Sequence, residues 1–405
     1  MERAAPSFIE DSAGYSPFAE DPALAYPALR AEPCPVHVYQ DANHRFYVLS
    51  HHADIRTVLR QPRLYTQRYG QLHTYTPGQG LNVEPPDHTM YRRLLNPLFT
   101  PARIADRRKR FEKLADAWVD AMEPLGKADF LGAFAANYAV DVAADVIGIE
   151  PHRQPDLRRW AKDFVDGINT ADHDREHAGR LAIYDYFREL LAKRRAEIAR
   201  AQACPDDVMT TMVRGVHPDG RSFTDEELLP NAILLLLGGI DAPAMLIASC
   251  LFRLLEHREA WERVCADPSL VPMAVEETLR LDTPNFGLFR TNENPVTLHG
   301  MAIPKDSKIQ LLYASGNRDP AVFDDADSFR LDRDPIHLAQ NQLAFGGGIH
   351  TCIGNSVARV GVSAGLAVLC RRLPSIRLAG EPRRHKGVPG SLAIANGFSR
   401  LPVSW

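Results

Sequence analysis

The chain has 405 residues, of which 45% are hydrophobic and 24% are charged, and its formal net charge at pH 7 is −4. This length and composition support a sizeable hydrophobic core in one large domain or in two to three ordinary ones. The near balance of charge excludes a general nucleic-acid binder, which would carry a basic excess, and a disordered acidic chain.

The cysteines are few and widely spaced: Cys34, Cys204, Cys250, Cys265, Cys352 and Cys370. No Cys-x-x-Cys pair is present, which excludes a zinc ribbon and a thioredoxin motif, and a chain this long with six cysteines is not expected to rely on disulfides. The first residues lack the apolar run of a signal peptide. We therefore expect a soluble, reduced, cytoplasmic protein.

Hydrophobic periodicity predicts helices along most of the chain and a few short strands. Residues 45–50 have the pattern of a strand, 52–59 that of a short helix, and the proline- and glycine-rich residues 61–87 that of a long loop. Helices are predicted after Asp87, and the later ones include 111–122, 130–149, 180–200 and 355–372, with a small hairpin at 296–303. The sequence predicts a single domain over 1–405 that is mainly α with minor antiparallel β.

The stretch from Ala232 to Leu254 is apolar enough to resemble a membrane span. Two glycines, Asp241 and Pro243 interrupt it, so no clean run of about 18 apolar residues exists. We predict a long helix buried inside the protein, started by a capping sequence at 222–227, and no membrane span. Pro243 predicts a kink or a widened turn at this point of the helix.

The most specific segment runs from Phe345 to Gly354, Phe-Gly-Gly-Gly-Ile-His-Thr-Cys-Ile-Gly. Three consecutive glycines permit backbone geometry that other residues resist and let a flat ligand approach closely. Cys352 lies just before a predicted helix, whose dipole and free N–H groups stabilise a thiolate. Taken alone, Cys352 is better explained as a buried structural thiol. A nucleophile would need a partner base that the sequence cannot place, and zinc would need about three further ligands.

This segment resembles the haem-binding loop of the cytochromes P450, Phe-x-x-Gly-x-x-x-Cys-x-Gly, in its bacterial form with histidine two residues before the cysteine. The resemblance implies the P450 fold and haem b (iron protoporphyrin IX) as cofactor. It implies Cys352 as the metal ligand, because the family's thiolate binds the haem iron axially. The same resemblance places Phe345, Gly346, His350 and Gly354 against the haem.

Other motifs of the same family follow in the right order along nearly the whole chain. Glu277 and Arg280 match the family's Glu-x-x-Arg, and Arg333 matches the arginine that completes a Glu-Arg-Arg network with a structural role. His88 and Arg92 match a Pro-Pro-x-His-x-x-x-Arg helix entry, and their spacing puts them on one helix face.

By resemblance, His88 and Arg92 bind a haem propionate, and Arg290 and His350 are the candidates for the other propionate contacts. The forked donors of arginine suit a carboxylate. In isolation, each of these four residues would be read as an ordinary surface charge.

The chain departs from the family pattern Ala/Gly-Gly-x-Asp/Glu-Thr in the apolar helix. The acid is present as Asp241, but Ala242 replaces the threonine and Pro243 follows. In the family the acid and the alcohol relay protons during oxygen activation, so Asp241 and Ala242 mark the catalytic position. Ala242 cannot donate or accept a hydrogen bond through its side chain.

Four consequences of this replacement stay open. A substrate hydroxyl or carboxylate, or an ordered water, supplies the missing relay; peroxide replaces dioxygen and electrons; the reaction is an atypical coupling or rearrangement; or the Ala-Pro pair only tunes a bend.

The resemblance also places substrate contacts on the loop 69–83 and on three later segments. The pocket candidates on those later segments are Ile233, Leu237, Gly238, Phe286, Leu288, Phe289, Leu392 and Ile394. Most are apolar, which favours a lipophilic small molecule of the terpenoid, steroid or polyketide type.

The sequence has no dinucleotide-binding fingerprint and no iron–sulfur cysteine set, so the resemblance implies electrons from a separate ferredoxin and ferredoxin reductase. Arg92–Arg93 and the run Arg107–Arg110 are candidate docking residues, although a solvated face also explains the run.

The sequence as a whole predicts a monomeric haem-thiolate monooxygenase, an oxidoreductase that uses dioxygen. The alternatives are a peroxide-driven or rearranging haem-thiolate enzyme and a non-catalytic haem-binding sensor.

Overall fold

The computed structural model describes residues 22–40, 45–72, 77–170, 172–385 and 396–405. Their helices are α1 Tyr26–Ala31, α2 His52–Leu59, α3 Asp87–Leu95, α4 Pro101–Ala105, α5 Arg108–Met122, α6 Ala136–Ile147, α7 Gln154–Thr170, α8 His173–Ala199, α9 Val208–Arg214, α10 Asp225–Gly238, α11 Asp241–Glu256, α12 Arg258–Ala266, α13 Val271–Leu281, α14 Tyr313–Gly316, α15 Pro335–Asn341 and α16 Asn355–Arg372. Their strands are β1 Val36–Gln40, β2 Arg45–Leu49, β3 Tyr65–Thr66, β4 Lys127–Asp129, β5 Leu288–Asn292, β6 Val296–Leu298, β7 Met301–Ile303, β8 Lys308–Leu311, β9 Arg377–Leu378, β10 Arg383–Arg384, β11 Phe398–Arg400 and β12 Pro402–Ser404.

The prediction of a mainly α fold with minor antiparallel β is confirmed. Helices α2 and α16 have the bounds that the periodicity predicts, and β6 and β7 form the predicted antiparallel hairpin. One strand pair departs from the prediction, because β2 and β8 run parallel, with Tyr47 opposite Ile309. A parallel pair needs a long crossover, and here the connection contains helices α2 to α13.

The chain folds as two compact units, each drawn from separate segments. The first unit takes the described residues within 1–78, 276–352 and 384–397. The second unit takes the described residues within 79–275, 353–383 and 398–405.

The first unit is built on a five-stranded sheet in the order β1-β2-β8-β5-β3. Side chains of a strand alternate between the two faces of its sheet. In β2, Tyr47 and Leu49 join the hydrophobic cluster on one face, and Phe46 and Val48 join the cluster on the other. The sheet is therefore covered on both faces and forms the core of the unit.

The second unit is helical, and α6 lies at its centre. Helix α6 packs against α5, α7, α10 and α11. The Tyr138 hydroxyl donates to the Gly361 carbonyl on α16 at 2.7 Å. A Cβ at Gly365 would lie 2.7 Å from the Ile247 Cδ1 and 2.9 Å from the Tyr138 ring. The small residues of α16 thus let this helix approach α6 and α11 closely.

The predicted long apolar helix is two helices, α10 and α11. A capping box starts α10, in which the Thr224 hydroxyl accepts from the Glu227 N–H at 3.4 Å and the Glu227 carboxylate accepts from the Thr224 N–H at 2.8 Å. Within the described residues, 225–256 alone has the length and mean hydropathy, 2.0, of a membrane span, and 56% of its most apolar window is buried inside the protein.

The interruption lies at Gly239–Ile240 and not at Ala242–Pro243, where the sequence placed it. Pro243 lies in the first turn of α11, where backbone N–H groups have no partner within the helix. The missing N–H of proline therefore costs no helical hydrogen bond at this position. Its ring clashes with a helical carbonyl four residues earlier, which is that of Gly239. The helix consequently breaks on the N-terminal side of the proline.

Candidate active site

Cys352 ends a tight loop in the first unit. Its N–H donates to the Phe345 carbonyl at 2.9 Å, and the Gly346 N–H donates to the Leu343 carbonyl at 2.8 Å. The Thr351 hydroxyl donates to the Gly348 carbonyl at 2.8 Å. The backbone thus closes the loop on itself, while the Cys352 residue is exposed.

Gly348 fixes the course of this loop. Its φ is +69°, in the left-handed region that glycine occupies without strain, and a Cβ at this position would lie 2.2 Å from the Leu59 carbonyl oxygen at the end of α2. Gly346 is also left-handed, with φ of +66°. Gly347 is extended, and its Cβ would meet the Leu59 Cδ1 at 3.3 Å. Only two of the three glycines therefore require left-handed geometry.

Alanine substitutions at the neighbouring Gly347 and Gly348 test this geometry. We expect Gly348→Ala to lose most of its bound cofactor or to lower the midpoint of thermal unfolding, because the added methyl meets a backbone carbonyl in a strained conformation. We expect Gly347→Ala to stay close to the wild type, since it meets only a flexible leucine side chain. Cofactor content from the visible spectrum and the unfolding midpoint measure both effects. Equal behaviour of the two variants would contradict the assignment.

The predicted Glu277, Arg280 and Arg333 lie together in the first unit. Arg280 donates from Nη2 and Nε to the two Glu277 carboxylate oxygens at 2.7 and 2.9 Å, and Arg333 Nε donates to Glu277 Oε1 at 2.8 Å. The Arg330 backbone N–H donates to the same oxygen at 3.1 Å. The Glu277 and Arg280 side chains are fully buried, so this carboxylate is satisfied entirely by protein donors.

A path of hydrogen bonds links this network to the cysteine loop. Arg280 Nη1 donates to the Asn317 carbonyl at 3.0 Å, and the Asn317 side-chain oxygen accepts from the Leu343 N–H at 2.6 Å. Leu343 in turn accepts the Gly346 N–H of the loop. The network therefore supports the backbone that carries Cys352.

Removing the shared acceptor tests the contribution of the network to stability. We expect Glu277→Ala to cost about 3–5 kcal/mol of unfolding free energy, because it leaves two guanidinium groups without their buried partner. Arg330→Ala is the matched control, since its side chain pairs with Asp325 and Asp332 at the surface. The control should change stability by less than about 0.5 kcal/mol. Urea denaturation measures both, and a Glu277→Ala effect as small as that of the control would remove the network from the stabilising core.

Arg290 lies in β5 with only 4% of its surface exposed. Its guanidinium donates to the Phe289 carbonyl at 2.9 Å and to the Gln67 amide oxygen at 2.7 and 3.3 Å. No carboxylate pairs with Arg290 among the described residues. The buried Tyr313 hydroxyl lies beside the guanidinium, and no described residue accepts its proton. Burial raises the pKa of Tyr313, so this hydroxyl keeps its proton and can donate. The arrangement fits an anionic group such as a carboxylate.

The sequence pointed to Arg290 but not to its neighbours. Gln67, Tyr313 and Lys308 were missed, because no motif or spacing marks them. The one signal in the sequence was a lysine at the start of the strand Lys-Ile-Gln-Leu. All four residues of this strand are buried, so the lysine is a buried charge that needs hydrogen-bond acceptors. His350 lies half-buried in the 3₁₀ turn Gly348–His350 of the cysteine loop.

The other predicted propionate ligands belong to the second unit. His88 is buried and Arg92 half-buried, one turn apart on α3. The His88 N–H donates to the Glu84 carbonyl at 3.1 Å, which fixes the start of the helix. Both side chains thus lie on one face of α3, as their spacing predicted.

The centre of the α10–α11 segment is more accessible than an ordinary core helix. Ile233 is buried, but Leu237 is half-buried and Gly238 is exposed. Asp241 and Ala242, the first two residues of α11, are half-buried. The exposed end of α10 therefore lies next to the Asp241 carboxylate at the start of α11, and such accessible apolar residues are suited to lining a cavity.

The structure corrects the prediction that Phe286 and Phe289 line the pocket. Both are buried in a hydrophobic cluster of the first unit, where the Phe289 ring packs edge-on against Phe46 with centroids 5.0 Å apart. Alternation along β5 turns Phe289 to this cluster and Leu288 and Arg290 to the opposite face. Leu288 alone of the three predicted residues is half-buried. Leu392 and Ile394 lie outside the described residues.

The basic run near α5 is a solvated face except at Arg107. Residues 108–110 are exposed, and Arg108 pairs with Glu112 of the same helix at 2.9 Å. The Arg107 side chain is only 13% exposed and donates to the Asp145 carboxylate at 2.6 Å and to the Asp206 carbonyl at 2.9 Å. Arg107 thus joins parts of the second unit, which argues against it as a docking residue.

Comparison with known proteins places the chain in a family. A family model described as Cytochrome P450 matches residues 160–374. The chain is 32% identical over 406 residues to the Nocardicin C N-oxygenase of Nocardia uniformis subsp. tsuyamanensis, covering 96% of this chain and 98% of that protein. The chain belongs to the cytochrome P450 family.

Other members are similar to this P450 in sequence and in structure. A steroid C26-monooxygenase of Mycolicibacterium smegmatis is 32% identical over 330 residues, which cover 80% of this chain and 79% of that protein. The solved structure of the Bacillus subtilis 168 bacillaene polyketide synthase cytochrome P450 PksS superposes with a TM-score of 0.85 at 25% identity, covering 96% of this chain and 99% of that chain. This P450 is therefore an oxidoreductase of the monooxygenase type with haem b as its cofactor.

The residues of this P450 fit the haem. Cys352 is an exposed residue with the thiol that an iron ligand requires, and Gly346 and Gly348, in the left-handed conformation, carry no side chains beside it. Arg290 and the Tyr313 hydroxyl have donors that suit a propionate.

Proposed function

We propose that this P450 is a haem-thiolate monooxygenase that uses dioxygen to oxidise a lipophilic small molecule of the terpenoid, steroid or polyketide type. The observation that carries the proposal is the exposed Cys352 thiol at the end of a closed glycine loop, which matches the family's ligand position. When bound, the haem supplies the oxygen-activating and oxygen-transferring chemistry.

The residues proposed to hold the haem bind its iron and its propionates. Cys352 would bind the iron as a thiolate, and the propionates would be bound by Arg290, His350, His88 and Arg92. Phe345, Gly346 and Gly354 shape the loop around the ligand. Guanidinium and imidazole groups are suited to binding the carboxylates, and a thiolate is suited to binding the metal.

Asp241 is the proposed acid of the proton relay. It is the first residue of α11, and the dipole at a helix N-terminus stabilises its carboxylate. Its half-buried position next to the exposed Gly238 leaves it reachable from the apolar face of the helix. In this role the Asp241 carboxylate takes up a proton from solvent on one of its oxygens and passes it towards the reacting oxygen.

Ala242 leaves a gap in that relay, because its methyl group carries no proton. We infer that a hydroxyl or carboxylate of the substrate, or an ordered water, takes the place of the missing threonine. The exposed Gly238 beside the half-buried Asp241 and Ala242 supports this idea, because a water or a substrate oxygen can reach this position. Peroxide-driven turnover is the competing candidate, and the same Ala242 favours it.

The substrate class rests on the apolar residues of α10 and on the relatives. Ile233 and Leu237 of α10 and Leu288 of β5 remain proposed as apolar pocket residues, and of these Leu237 and Leu288 are half-buried. Relatives named for a steroid and for a polyketide synthase fall within the proposed class. The enzyme is proposed to be a cytoplasmic monomer that receives its electrons from a ferredoxin and a ferredoxin reductase. The exposed Arg93 of α3 is a candidate docking residue for the ferredoxin.

A spin-state titration tests the proposed role of the substrate. Terpenoids, steroids, fatty acids and macrolides are added to the haem-loaded protein in pairs, with and without a hydroxyl or carboxylate. We expect lipophilic members to shift the Soret band, and oxygen-bearing members to give a better ratio of product to NADH consumed. If no lipophilic compound shifts the spectrum, the proposed substrate class is wrong. If plain hydrocarbons couple equally well, water or Asp241 supplies the relay.

Substitutions at the break test the relay itself. We expect Asp241→Asn to lower the rate of product formation by about 100-fold with little change in substrate affinity, because it removes a general acid. Ala242→Thr should raise the coupling ratio for substrates without a hydroxyl, and Ala242→Val is its control of equal shape. A product rate in Asp241→Asn equal to the wild type, or turnover by peroxide that exceeds turnover with redox partners, would overturn the dioxygen mechanism.

A further inference from the structure

The residues that follow β3 form a tight turn beside β5, and this 67–72 segment opens the loop predicted to contact substrate. The Gly70 N–H donates to the Gln67 carbonyl at 2.8 Å, with φ of +84° at Gly70. The Phe289 N–H of β5 donates to the Gln71 carbonyl at 2.9 Å. One main-chain hydrogen bond thus docks the far end of the turn on the sheet.

Lys308 supplies the second attachment. It is the first residue of β8, only 1% exposed, and its Nζ donates to the Tyr69 carbonyl at 2.7 Å and to the Gly70 carbonyl at 3.1 Å. Both carbonyls lie at the apex of the turn, where the chain makes no strand pairing. The ammonium group therefore joins the turn to the sheet through two charge-assisted hydrogen bonds.

The charge of Lys308 is unusual for its surroundings. Burial and the neighbouring Arg290 guanidinium lower the pKa of Lys308 to about 8, so the side chain is an ammonium at neutral pH. The Arg290 guanidinium is a second cation in this part of the first unit. The Tyr69 and Gly70 carbonyls stabilise the buried ammonium group of Lys308 by accepting its hydrogen bonds.

We propose that Lys308 is a positioning residue for substrate recognition, which fastens the 67–72 segment to β8 through the Tyr69 and Gly70 carbonyls. The consequence for substrate rests on the proposed monooxygenase function, whereas the fastening itself does not. Lys308 touches neither substrate nor reacting atoms in this role; it sets where the beginning of the substrate loop lies.

Amide hydrogen exchange of the full-length, haem-loaded protein tests the fastening. Lys308→Met keeps the length of the side chain but removes the donors, Lys308→Arg keeps a cation with donors, and Lys305→Met alters an exposed lysine three residues earlier. We expect Lys308→Met to speed exchange at 69–72 about tenfold, as loss of two charge-assisted hydrogen bonds implies. Lys308→Arg should restore most of the protection, and Lys305→Met should match the wild type.

Substrate affinity is measured on the same variants with a compound that shifts the Soret band. Lys308→Met should weaken its binding several-fold while the haem spectrum stays unchanged. Exchange at 69–72 within twofold of the wild type, equal acceleration throughout β5 and β8, or no rescue by Lys308→Arg would each overturn the proposal. Absence of any Soret-shifting compound would count against the proposed function alone, because the exchange measurement decides the fastening by itself.

Discussion

A single buried carboxylate, that of Glu277, organises the part of the first unit that carries the cysteine loop. A buried charge is tolerated only when it is paired and hydrogen-bonded, and Glu277 accepts from Arg280, from Arg333 and from the Arg330 backbone. The remaining donors of the two arginines hold the carbonyls of the connection that follows α14. The position of this irregular chain is therefore set by satisfied polar groups and not by regular secondary structure.

The cysteine loop inherits its geometry from that frame. Asn317 carries the network to Leu343, which anchors the glycine turn, and the turn closes on Cys352. Gly348 allows the turn to pass against the backbone at the end of α2. A thiol on a loop braced at both ends would lose little conformational freedom on binding a metal, so the loop is preorganised for a metal ligand.

Charge is distributed unevenly around this loop. Arg290 and Lys308 are both buried in the sheet of the first unit. The Arg290 guanidinium donates to a neutral amide and to a carbonyl, and the Lys308 ammonium group donates to two carbonyls. Neutral acceptors only partly compensate the buried charge of Arg290, and a carboxylate such as a haem propionate suits this guanidinium.

Local signals account for the parts that the sequence predicted well. The 3.6-residue periodicity and the caps located α2 and α16, and the spacing of Glu277 with Arg280 and of His88 with Arg92 placed each pair on one helix face. The family resemblance, carried by residues 345–354, indicated the cofactor and its ligand. These features depend on neighbours within a few residues along the chain.

By itself, then, the sequence determined the helical class and the family, and through the family resemblance it indicated Cys352 as the haem ligand. Only the tertiary structure decided which hydrophobic cluster Phe289 of β5 joins, where the long apolar helix breaks, and that Arg107 is held by Asp145. It also brought Lys308 to the 67–72 segment across more than 200 residues of chain. Such contacts depend on packing between elements that are distant in sequence, for which no local periodicity or motif carries a signal.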